Sequence, residues 1–529
     1  MADAQSPRGG GASTRRYDAI IIGAGPNGLT LARMLARRRR KVLVVESAKE
    51  IGGHTRTIEF APGFRSPLSE DTGWVPPAVA NLFGLDKLQK AGGAVSTTVI
   101  APDRQTLHLP ARVAGAVERI RQFSERDADR WPSFVERLQR FAAMLELMYQ
   151  VVPPDIDAEG PREVLPILGL GRKLRNMGRA DMTEFLRVMP MSVQDLLDDT
   201  FESEIVKAAV AAAAVRDLRQ GPRSGGTTFN LLHYMVGAAP GSIRGRSWYL
   251  SAPDAFATHA AEALKKRKAE IMTGTRVARI TIANDEVTGV LLSTGEEVAA
   301  PLVISTADPK QTLLDLVDPV WLDPELVLAV RNIKMRGCAA YVFYAVERAV
   351  DDPAKSFTAS VSLTPSTIAL ERAADAAKYG QIAGVPHIEI FSPTLRWPQL
   401  APEFKHVVTA RVHYAPYALR DGEWDAKRCD ALERTVTEAI ARVVPTFEQT
   451  ITHRAVLSPV DVEDKFGVTE AAMSHGELML DQMLFMRPIA GWGRYYMPIR
   501  GLFLGGAGAH PGPGILGGAG YLAAKATGA

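Results

Sequence analysis

The stretch from Tyr17 to Gly53 reads YDAIIIGAGPNGLTLARMLARRRRKVLVVESAKEIGG. Its apolar run Ala19–Ile22 is rich in β-branched residues and is long enough for a buried parallel strand. Gly23, Gly25 and Gly28 follow with the spacing GxGxxG, and a segment with helical periodicity comes next. In such a unit the glycines permit a tight turn, close approach of backbone to a pyrophosphate, and packing of helix on strand. The stretch therefore predicts a βαβ unit with an anion site at the helix N-terminus.

A second strand and an acidic residue complete this unit. Val42–Val45 is again apolar, and Glu46 follows it, 18 residues after Gly28. A carboxylate at this place suits a ribose diol and disfavours a 2′-phosphate. We therefore predict a dinucleotide site, and the alternative is a glycine-rich turn that binds nothing. The predicted site residues in this unit are Gly23, Gly25, Pro26, Asn27, Gly28, Glu46 and Ser47.

Composition limits the classes of function. The 529 residues suffice for two to four domain-sized units, and a formal charge of +3 provides no basic field for nucleic acid. Cys338 and Cys429 are far apart, which excludes a redox-active disulfide motif and a cysteine-type zinc site and fits a reducing compartment. No apolar run reaches the length of a membrane-spanning helix. We expect a cytoplasmic protein, with peripheral membrane contact as the alternative, and a mitochondrial location if the source is eukaryotic.

Two polar segments of the N-terminal region have a plain structural interpretation. Residues 1–16 lack large apolar side chains and are predicted to form a disordered tail without a secretory signal. The run Arg37–Lys41 resembles a localisation or nucleic-acid patch. We interpret it instead as a solvated helix end, where the helix dipole favours cations.

The residues after Glu46 carry a resemblance to a known family. Gly52-Gly53-His54-Thr55-Arg56, followed by Ala61–Ser66, resembles the FAD-binding motif of the amine oxidase and phytoene desaturase superfamily. The resemblance implies FAD as the cofactor, with the acid at the adenosine ribose and the glycine pair near the phosphates and the flavin. It adds Gly52, Gly53, His54, Thr55 and Arg56 to the predicted site. The run of arginines departs from the glycine that the family commonly has there.

A second segment continues this resemblance. We predict a capping box at Ser251–Asp254, a helix over Ala255–Lys266, a hairpin of Arg276–Ile282 with Val287–Leu292, and a strand at Leu302–Ser305. The family order implies that Val277 contacts the adenine and that Thr306 lies at the cofactor. The glycine-rich entry of the family is replaced here by residues 245–249. The resemblance places that loop at the flavin, which makes Arg246 and Trp248 substrate-cavity candidates.

The C-terminal segment resembles the end of phytoene desaturase-like proteins. Gly501–Gly514 reads as a strand that leads into a glycine-rich turn, before a last helix. It is most similar to the branch called pyridine nucleotide-disulfide oxidoreductase domain-containing protein two. The resemblance places Gly508, His510, Gly514 and Ile515 at the ribityl chain and the flavin. His510 is the candidate acid or base, and the alternative is that it caps the turn.

These features predict an α/β fold with an α+β substrate domain. The FAD-binding domain is expected to be Rossmann-like, of the glutathione-reductase type, and to combine 17–75, 245–320 and 486–529. The inserted substrate domain comprises 76–244 and 321–485, with a helical cap and a mixed sheet. Periodicity predicts a helix that continues from Phe134 to Pro153 and one over Asp430–Val444, and strands at Ala339–Val346 and Val407–His413. Leu165–Met189 is interpreted as a lid helix, with binding to an anionic membrane surface as the alternative.

The resemblance implies an FAD-dependent oxidoreductase that transfers hydride between the flavin and a hydrophobic substrate, with a polyene or isoprenoid-like lipid as the leading class. Desaturation, saturation and isomerisation of that substrate all stay open. One alternative is an amine oxidase that releases hydrogen peroxide, with Trp492, Tyr495 and Tyr496 around the amine. Another is an FAD-containing binding or assembly protein with little turnover. No spacing of His, Asp or Glu suggests a metal. The sequence does not identify the electron acceptor, and it leaves open whether the protein forms a homo-oligomer.

Overall fold

The computed structural model describes residues 15–71, 73–85, 90–91, 96–101, 105–154, 161–243, 248–249, 251–348, 360–364 and 366–528. Within these ranges no helix is both long enough and apolar enough to cross a membrane.

The strands, in chain order, are β1 (Arg15–Arg16), β2 (Ala19–Ile22), β3 (Val42–Val45), β4 (Ile58–Ala61), β5 (Phe64–Ser66), β6 (Lys90–Ala91), β7 (Thr97–Ile100), β8 (Thr106–Leu109), β9 (Trp248–Tyr249), β10 (Ala269–Met272), β11 (Val277–Ala283), β12 (Glu286–Leu292), β13 (Glu297–Ala299), β14 (Val303–Ser305), β15 (Ala339–Val346), β16 (Ser360–Leu363), β17 (His387–Phe391), β18 (His406–His413), β19 (Ile451–Leu457) and β20 (Leu502–Leu504).

The α-helices are α1 (Pro26–Arg37), α2 (Pro77–Phe83), α3 (Val113–Ile120), α4 (Glu125–Met148), α5 (Pro161–Asn176), α6 (Arg179–Val188), α7 (Val193–Asp198), α8 (Glu204–Ala214), α9 (Thr227–Met235), α10 (Ala255–Lys265), α11 (Pro324–Arg331), α12 (Thr367–Lys378), α13 (Ala426–Val443), α14 (Phe447–Thr450), α15 (Pro459–Phe466) and α16 (Gly518–Ala526).

A parallel five-stranded sheet joins distant parts of the chain. Its order is β10-β3-β2-β14-β20, so the predicted βαβ unit is confirmed and the first, middle and last segments of the chain lie side by side. One face packs on α1, α10 and α16 through residues such as Ile21 and Val44. The other face packs on the smaller sheet β1-β13-β12-β11 through Ile20 and Val45. Burial on both faces explains why β2 and β3 are apolar at every position. The boundaries of the predicted FAD-binding domain stay a prediction.

A seven-stranded sheet, ordered β19-β15-β18-β17-β16-β7-β8, forms the second layer. Its strands pair antiparallel except for β16 and β7, which pair parallel. The strands predicted at 339–346 and 407–413 are therefore neighbours, as β15 and β18. One face packs on α13 through Val408, Ala410 and Val412. The opposite side chains of β18 face the rest of the molecule, and this alternation brings Arg411 to the site described below.

Helices α3, α4, α6, α7, α8 and α9 share one apolar core with parts of β7 and β8, and we call this group of helices the helical cap. Its assignment to a substrate domain stays a prediction. The predicted apolar face of α4 is confirmed at Phe134, Leu138 and Phe141. The predicted end at Pro153 is wrong, because the helix ends at Met148 with Tyr149 as its C-cap. The segment 165–189 forms two helices, α5 and α6, rather than one.

Other local predictions have mixed outcomes. The hairpin is confirmed as β11 and β12, and Asn284 and Asp285 have the positive φ of its turn. The capping box at Ser251–Asp254 is wrong, because Asp254 itself is the N-cap of α10 and no side chain caps that helix. The helix predicted over Asp430–Val444 is present as α13, but it begins at Ala426, where the Asp425 side chain accepts a hydrogen bond from the Arg428 amide.

The predictions for the N-terminal tail and for the basic run Arg37–Lys41 also have different outcomes. Residues 1–14 of the predicted tail lie outside the described residues. Arg15 and Arg16 are ordered, because they pair as β1 with β13 and the Arg15 guanidinium donates to Glu296 at 2.6 Å. The basic run Arg37–Lys41 lies exposed at the end of α1, as predicted.

Candidate active site

A cavity of about 840 Å³ opens at the carboxyl edge of the parallel sheet. The ends of β2 and β3 line one side, the seven-stranded sheet contributes Tyr341 and Arg411, and the helical cap contributes Tyr234. A crevice at the carboxyl ends of parallel strands is the usual ligand position in open α/β sheets. The cavity therefore joins the predicted dinucleotide unit to the rest of the fold.

The N-terminus of α1 forms the floor of the dinucleotide end. Gly25 is its N-cap, no side chain caps the helix, and Gly25, Pro26 and Asn27 all line the cavity. The first amide groups of a helix are free donors that favour anions. Gly53 faces Gly25 across this floor, and a Cβ on Gly53 would lie 3.2 Å from the Gly25 Cα. Because neither glycine carries a side chain, the space at the N-terminus of α1 is not filled, and a pyrophosphate fits there.

Gly28 lies beneath this floor, where α1 contacts the backbone at the end of β2. A Cβ on Gly28 would lie 1.9 Å from the carbonyl oxygen of Gly23, so only glycine permits the observed contact of helix with strand. Gly28 does not line the cavity. Its predicted role in cofactor binding is therefore indirect, through the position of α1.

Glu46 lines the cavity from the end of β3 and also fixes the loops around it. Its Oε2 accepts a hydrogen bond from the Ala24 amide at 2.7 Å, and its Oε1 accepts one from the Ala48 amide at 2.9 Å. The carboxylate is thus held rigidly at the place predicted for the ribose diol. Oxygen lone pairs beyond these two bonds are available to a ligand hydroxyl.

Most of the predicted cofactor-binding residues meet at this one cavity. The lining includes Gly23, Gly25, Pro26, Asn27, Glu46, Ser47, Gly53, His54, Thr55, Arg56, Val277, Thr306, Gly514 and Ile515. Four predicted residues, Gly28, Gly52, Gly508 and His510, are not part of the lining. Gly508 instead packs against Pro309, since a Cβ there would lie 2.6 Å from the proline ring.

The placement of His510 contradicts the role predicted for it. Its ring is buried away from the cavity lining, with Nε2 3.2 Å from the carbonyl oxygen of Met148 and an edge contact to Tyr149. Burial lowers the pKa of His510 to about 4, so the ring is neutral at pH 7. His510 therefore joins the C-terminal turn to the end of α4, in keeping with the capping alternative.

The aromatic residues predicted near the substrate also lie elsewhere. Tyr495 is fully buried in the core beside α1 and donates to the carbonyl oxygen of His510 at 3.0 Å. Trp492 packs edge-on against Tyr496, and neither ring lines the cavity. Arg246 and the side chain of Trp248 lie outside the described residues, so their predicted roles are not addressed.

A buried ionic network that the sequence did not predict lines the far end of the cavity. Asp217 accepts hydrogen bonds from Arg411 and, at 2.6 Å, from the hydroxyl of Tyr234. The guanidinium of Arg216 lies 3.8 Å from Asp217 and 5.2 Å from the centre of the Tyr234 ring. Burial alone would raise the pKa of Asp217, but Arg411 and Arg216 outweigh it and lower the pKa to about 2. The network is ionised at neutral pH.

Two histidines lie between the glycine pair and this network. The rings of His54 and His475 are 5.2 Å apart, and both residues line the cavity. Burial lowers the pKa of each to about 3, so both rings are neutral at pH 7. Neither ring nitrogen of His475 has a hydrogen-bond partner among the described residues. His475 is thus a neutral ring at the cavity whose nitrogens are buried and unpaired among the described residues.

Arg487 holds the backbone behind these rings. It is fully buried, and its guanidinium donates to carbonyl oxygens of Ser474, Gly476 and Ala507 at 2.5, 3.1 and 2.9 Å. Burial lowers its pKa to about 10, so it keeps its charge at pH 7. Arg487 therefore fixes the loop that carries His475 to the C-terminal glycine-rich turn.

A pattern in β18 could have predicted Arg411, one of the site residues that the sequence analysis missed. In β18 the positions facing α13 are apolar, whereas Thr409, Arg411 and His413 alternate with them and are polar although buried. Polar side chains on one face of a buried strand indicate a polar cavity on that side. Arg216 and Asp217 offered no comparable signal, because they follow α8 in a loop.

The arrangement defines a class of protein. An anion-binding helix N-terminus, a ribose-side carboxylate and an adjoining cavity describe a dinucleotide-dependent protein whose cofactor faces a second ligand site.

Comparison with known proteins identifies the family. The family model for flavin containing amine oxidoreductase matches residues 27–519. The chain is 30% identical to the rat protein named pyridine nucleotide-disulfide oxidoreductase domain-containing protein 2, over 96% of this chain and 92% of that one. It is 24% identical to a lycopene-forming phytoene desaturase of a Paracoccus species, over 96% of both chains. A triple mutant of putrescine oxidase has a TM-score of 0.61 at 15% identity, over 97% of this chain and 99% of that one, a likeness of fold alone.

The chain therefore belongs to the flavin-containing amine oxidoreductase family, and the resemblance seen in the sequence is confirmed. Its fold is the mixed α/β fold of that superfamily. The cofactor is FAD, and the uncapped N-terminus of α1, the open Gly25–Gly53 floor and Glu46 fit its pyrophosphate and ribose. Among the described residues no group of three His, Cys, Asp or Glu side chains is placed to hold a metal ion.

Proposed function

We propose that this FAD-dependent oxidoreductase transfers hydride between the flavin and a hydrophobic substrate, of which a polyene or isoprenoid-like lipid is the leading class. The observation that carries the proposal is the continuity of the cavity, which runs from the dinucleotide cradle to a chamber between the cap and the seven-stranded sheet. Apolar side chains in that lining include Leu68, Met473 and Ile515. The name of the phytoene desaturase relative supports the same class.

FAD, when bound, supplies the hydride chemistry. The protein's contribution is to bind, to orient and to exclude water. Gly25, Pro26, Asn27 and Glu46 are the residues that would hold the pyrophosphate and the ribose. The rings of His54 and His475 are neutral at pH 7, so the histidine end of the cavity carries no imidazolium charge. We also propose that the dinucleotide unit is of the glutathione-reductase type, as the order of its parallel sheet suggests.

The test is spectroscopic. The purified chain is loaded with FAD, freed of oxygen, and mixed with phytoene in detergent, with putrescine, or with detergent alone. We expect the flavin absorption band to bleach with phytoene or, if the reaction runs as a saturation, the photoreduced flavin to be reoxidised by an unsaturated polyene. A protein that binds no FAD, or whose flavin responds to neither polyene in either redox state, contradicts the proposal.

An amine oxidase is the second candidate. The predicted aromatic set around Trp492 does not reach the cavity, but Tyr234 and Tyr341 do, from the cap and from β15. Two aromatic rings beside the carboxylate of Asp217 would stabilise a protonated amine through cation–π contacts and opposite charge. In the same experiment, bleaching by putrescine with release of hydrogen peroxide on readmission of oxygen favours this candidate over the lipid.

A further inference from the structure

Two basic runs that are far apart in the sequence lie together at one edge of the parallel sheet. The run 37–41 ends α1 and leads into β3, and a second run, 265–268, ends α10 and leads into β10. Because β3 and β10 pair parallel from their first residues, Val42 opposite Ala269, the two runs enter the sheet side by side. The Val42 amide donates a hydrogen bond to the carbonyl oxygen of Lys268 at 3.1 Å.

The nine side chains of these runs form one surface, which we call the basic face. All nine are exposed: Arg37, Arg38, Arg39, Arg40, Lys41, Lys265, Lys266, Arg267 and Lys268. Arg33 lies half-buried behind them, and its pKa is lowered by burial and by the like charges of Arg267 and Arg37. Both runs therefore lie close enough to act on the same guanidinium group.

Acidic side chains do not neutralise the basic face. Within the described part of the chain, no ion pair involves any of its nine cations. Asp18 accepts a hydrogen bond from the Lys41 amide at 2.6 Å. Glu270 accepts one from the hydroxyl of Tyr17 at 2.6 Å, and Glu262 of α10 is exposed. Three carboxylates against nine cations leave this surface strongly positive.

This excess of charge is local, and the helix ends do not account for it. The chain has 62 Lys and Arg residues, so the 53 outside the basic face stand against 59 Asp and Glu residues, a formal charge of −6. The C-terminal ends of α1 and α10 each carry about half a negative charge. A solvated helix end explains one or two cations at each run, but it does not explain nine on a single surface.

We propose that the basic face docks the protein on a membrane surface that is rich in anionic phospholipid. Clusters of about four to eight Lys and Arg residues are typical of contacts with anionic headgroups. The contact is electrostatic, because the exposed large apolar side chains of the protein all lie outside the two runs.

The basic face lies away from the cavity. None of its nine residues belongs to the cavity lining. The 12 residues of α1, about 18 Å of helix, separate this end from the anion-binding N-terminus. A membrane on the basic face therefore leaves the cofactor site uncovered, and the inference does not depend on the reaction proposed above.

Other polyanionic partners fit this surface less well. A specific protein interface is centred on aromatic or aliphatic side chains, which both runs lack. A nucleic acid extends along a protein, so it would pass from the basic face onto a remainder of net negative charge, and the runs offer no aromatic ring to its bases. A bilayer contacts only the face that is turned towards it.

The test is sedimentation of the full chain, loaded with FAD, with lipid vesicles. One set of vesicles is phosphatidylcholine alone, and the other is phosphatidylcholine and phosphatidylglycerol in equal parts. We expect binding to the anionic vesicles to be at least tenfold tighter at low salt and to weaken as salt is added, because ions screen the contact. Equal binding to both sets, or binding that does not depend on salt, overturns the inference.

Variants assign the binding to the basic face. The combined substitution Lys265→Gln, Lys266→Gln and Lys268→Gln should weaken binding to the anionic vesicles by roughly 30-fold or more. Unchanged flavin absorbance per protein reports that the variant is folded. If it does not fold, the pair Arg38→Gln and Arg40→Gln, from the other run, should weaken binding about tenfold. Unchanged binding by a folded variant contradicts the inference.

The matched control lies on α5. The combined substitution Arg172→Gln, Lys173→Gln and Arg175→Gln makes the same change of net charge on exposed side chains. It should leave binding to the anionic vesicles within twofold. If this variant loses binding and the variant at 265–268 keeps it, the protein docks through α5, and the inference is overturned.

Double-stranded DNA of random sequence tests the competing partner. We expect it to leave most of the protein on the anionic vesicles when DNA phosphate and anionic lipid are present at equal concentration. Displacement of most of the protein would assign the basic face to nucleic acid and overturn the inference. None of these measurements requires turnover, so failure of the proposed function is distinguishable from failure of this inference.

Discussion

His475 presents an uncharged imidazole to the cavity, because burial and the nearby guanidinium of Arg487 lower its pKa to about 3. We predict that His475→Asn lowers kcat/KM about tenfold, because the shorter side chain leaves a gap where the ring now lines the cavity. The FAD content should not change, because the glycine floor is untouched. Steady-state kinetics and the ratio of flavin to protein absorbance measure both quantities.

The pH dependence gives this prediction a sharper form. Because the ring stays neutral above about pH 3, the kinetic defect of His475→Asn should be constant between pH 6 and pH 8. His453→Asn is the matched control, since that histidine is exposed on β19. A defect that grows or vanishes across this pH range would show that His475 titrates there and acts as an acid or a base.

Gly28 determines how closely α1 approaches the strand before it. A methyl group at this position would lie 1.9 Å from the Gly23 carbonyl oxygen, and backbone cannot move away without displacing the helix. We predict that Gly28→Ala reduces FAD affinity at least 100-fold, by the shift of the helix N-terminus away from the pyrophosphate. Fluorescence titration of the FAD-free protein measures this.

Gly171→Ala is the control for that substitution, because it lies in α5 with no atom within 4 Å of the added Cβ. It should bind FAD with unchanged affinity and be more stable by about 1 kcal/mol, since alanine favours a helix over glycine. Normal FAD binding by Gly28→Ala would mean that α1 accommodates the methyl group by a local adjustment.

At the scale of elements, the join between α4 and α8 depends on one carboxylate. Asp127 is fully buried and accepts hydrogen bonds from the amides of Glu202 and Ser203 at 2.9 and 2.8 Å, just before α8 begins. Asp127→Asn replaces one acceptor oxygen by a donor group and leaves an amide unpaired.

We predict that Asp127→Asn lowers the free energy of unfolding by about 1–3 kcal/mol. Urea denaturation followed by circular dichroism measures it. Asp129→Asn on the exposed side of the same helix should change the value by less than about 0.5 kcal/mol. Equal effects of the two substitutions would show that the buried bonds contribute little to stability.

The elements that the sequence predicts well are those whose local pattern and tertiary environment agree. The βαβ unit of residues 17–53 combines strand periodicity, glycine spacing and a terminal acid, and all of these are local. The end of α4 was placed too late because Pro153 is a visible helix breaker, whereas the helix stops at Met148, before it. The strand of Arg15 and Arg16 depends on a partner almost 300 residues away, which no local pattern contains.

In the candidate site, too, the residues that belong to local motifs were predicted, and those that depend on tertiary contacts were not. Its dinucleotide half comes from contiguous motifs and was predicted residue by residue, with fourteen of those residues in the lining. His510 was misplaced because a glycine-rich turn does not determine on which side a side chain emerges. Arg216, Asp217 and Arg411 meet only through the docking of the cap on the seven-stranded sheet, so their proximity is a property of the whole fold.

At the scale of the whole molecule, buried histidines make stability depend on pH. Burial lowers the pKa of His413 and His475 to about 3 and that of His510 to about 4. In the unfolded chain each titrates near 6.5, so between about pH 4 and 6.5 the unfolded state binds more protons than the folded state. Stability must therefore fall as the pH falls through this window.

We predict a loss of about 1.4 kcal/mol for each of these three histidines, roughly 4 kcal/mol for the three together, between pH 7.5 and pH 5.5. Urea denaturation of the FAD-loaded chain at the two pH values measures it. The window lies above the unfolded pKa of the carboxyl groups, so Asp217, with a pKa of about 2, contributes little there. His475→Asn should reduce the loss by about one third, and His453→Gln, exposed on β19, should leave it unchanged. Equal free energies of unfolding at the two pH values would mean that these rings accept protons in the folded protein. The burial of His413 in β18, of His475 in the loop held by Arg487 and of His510 in the C-terminal turn argues against that.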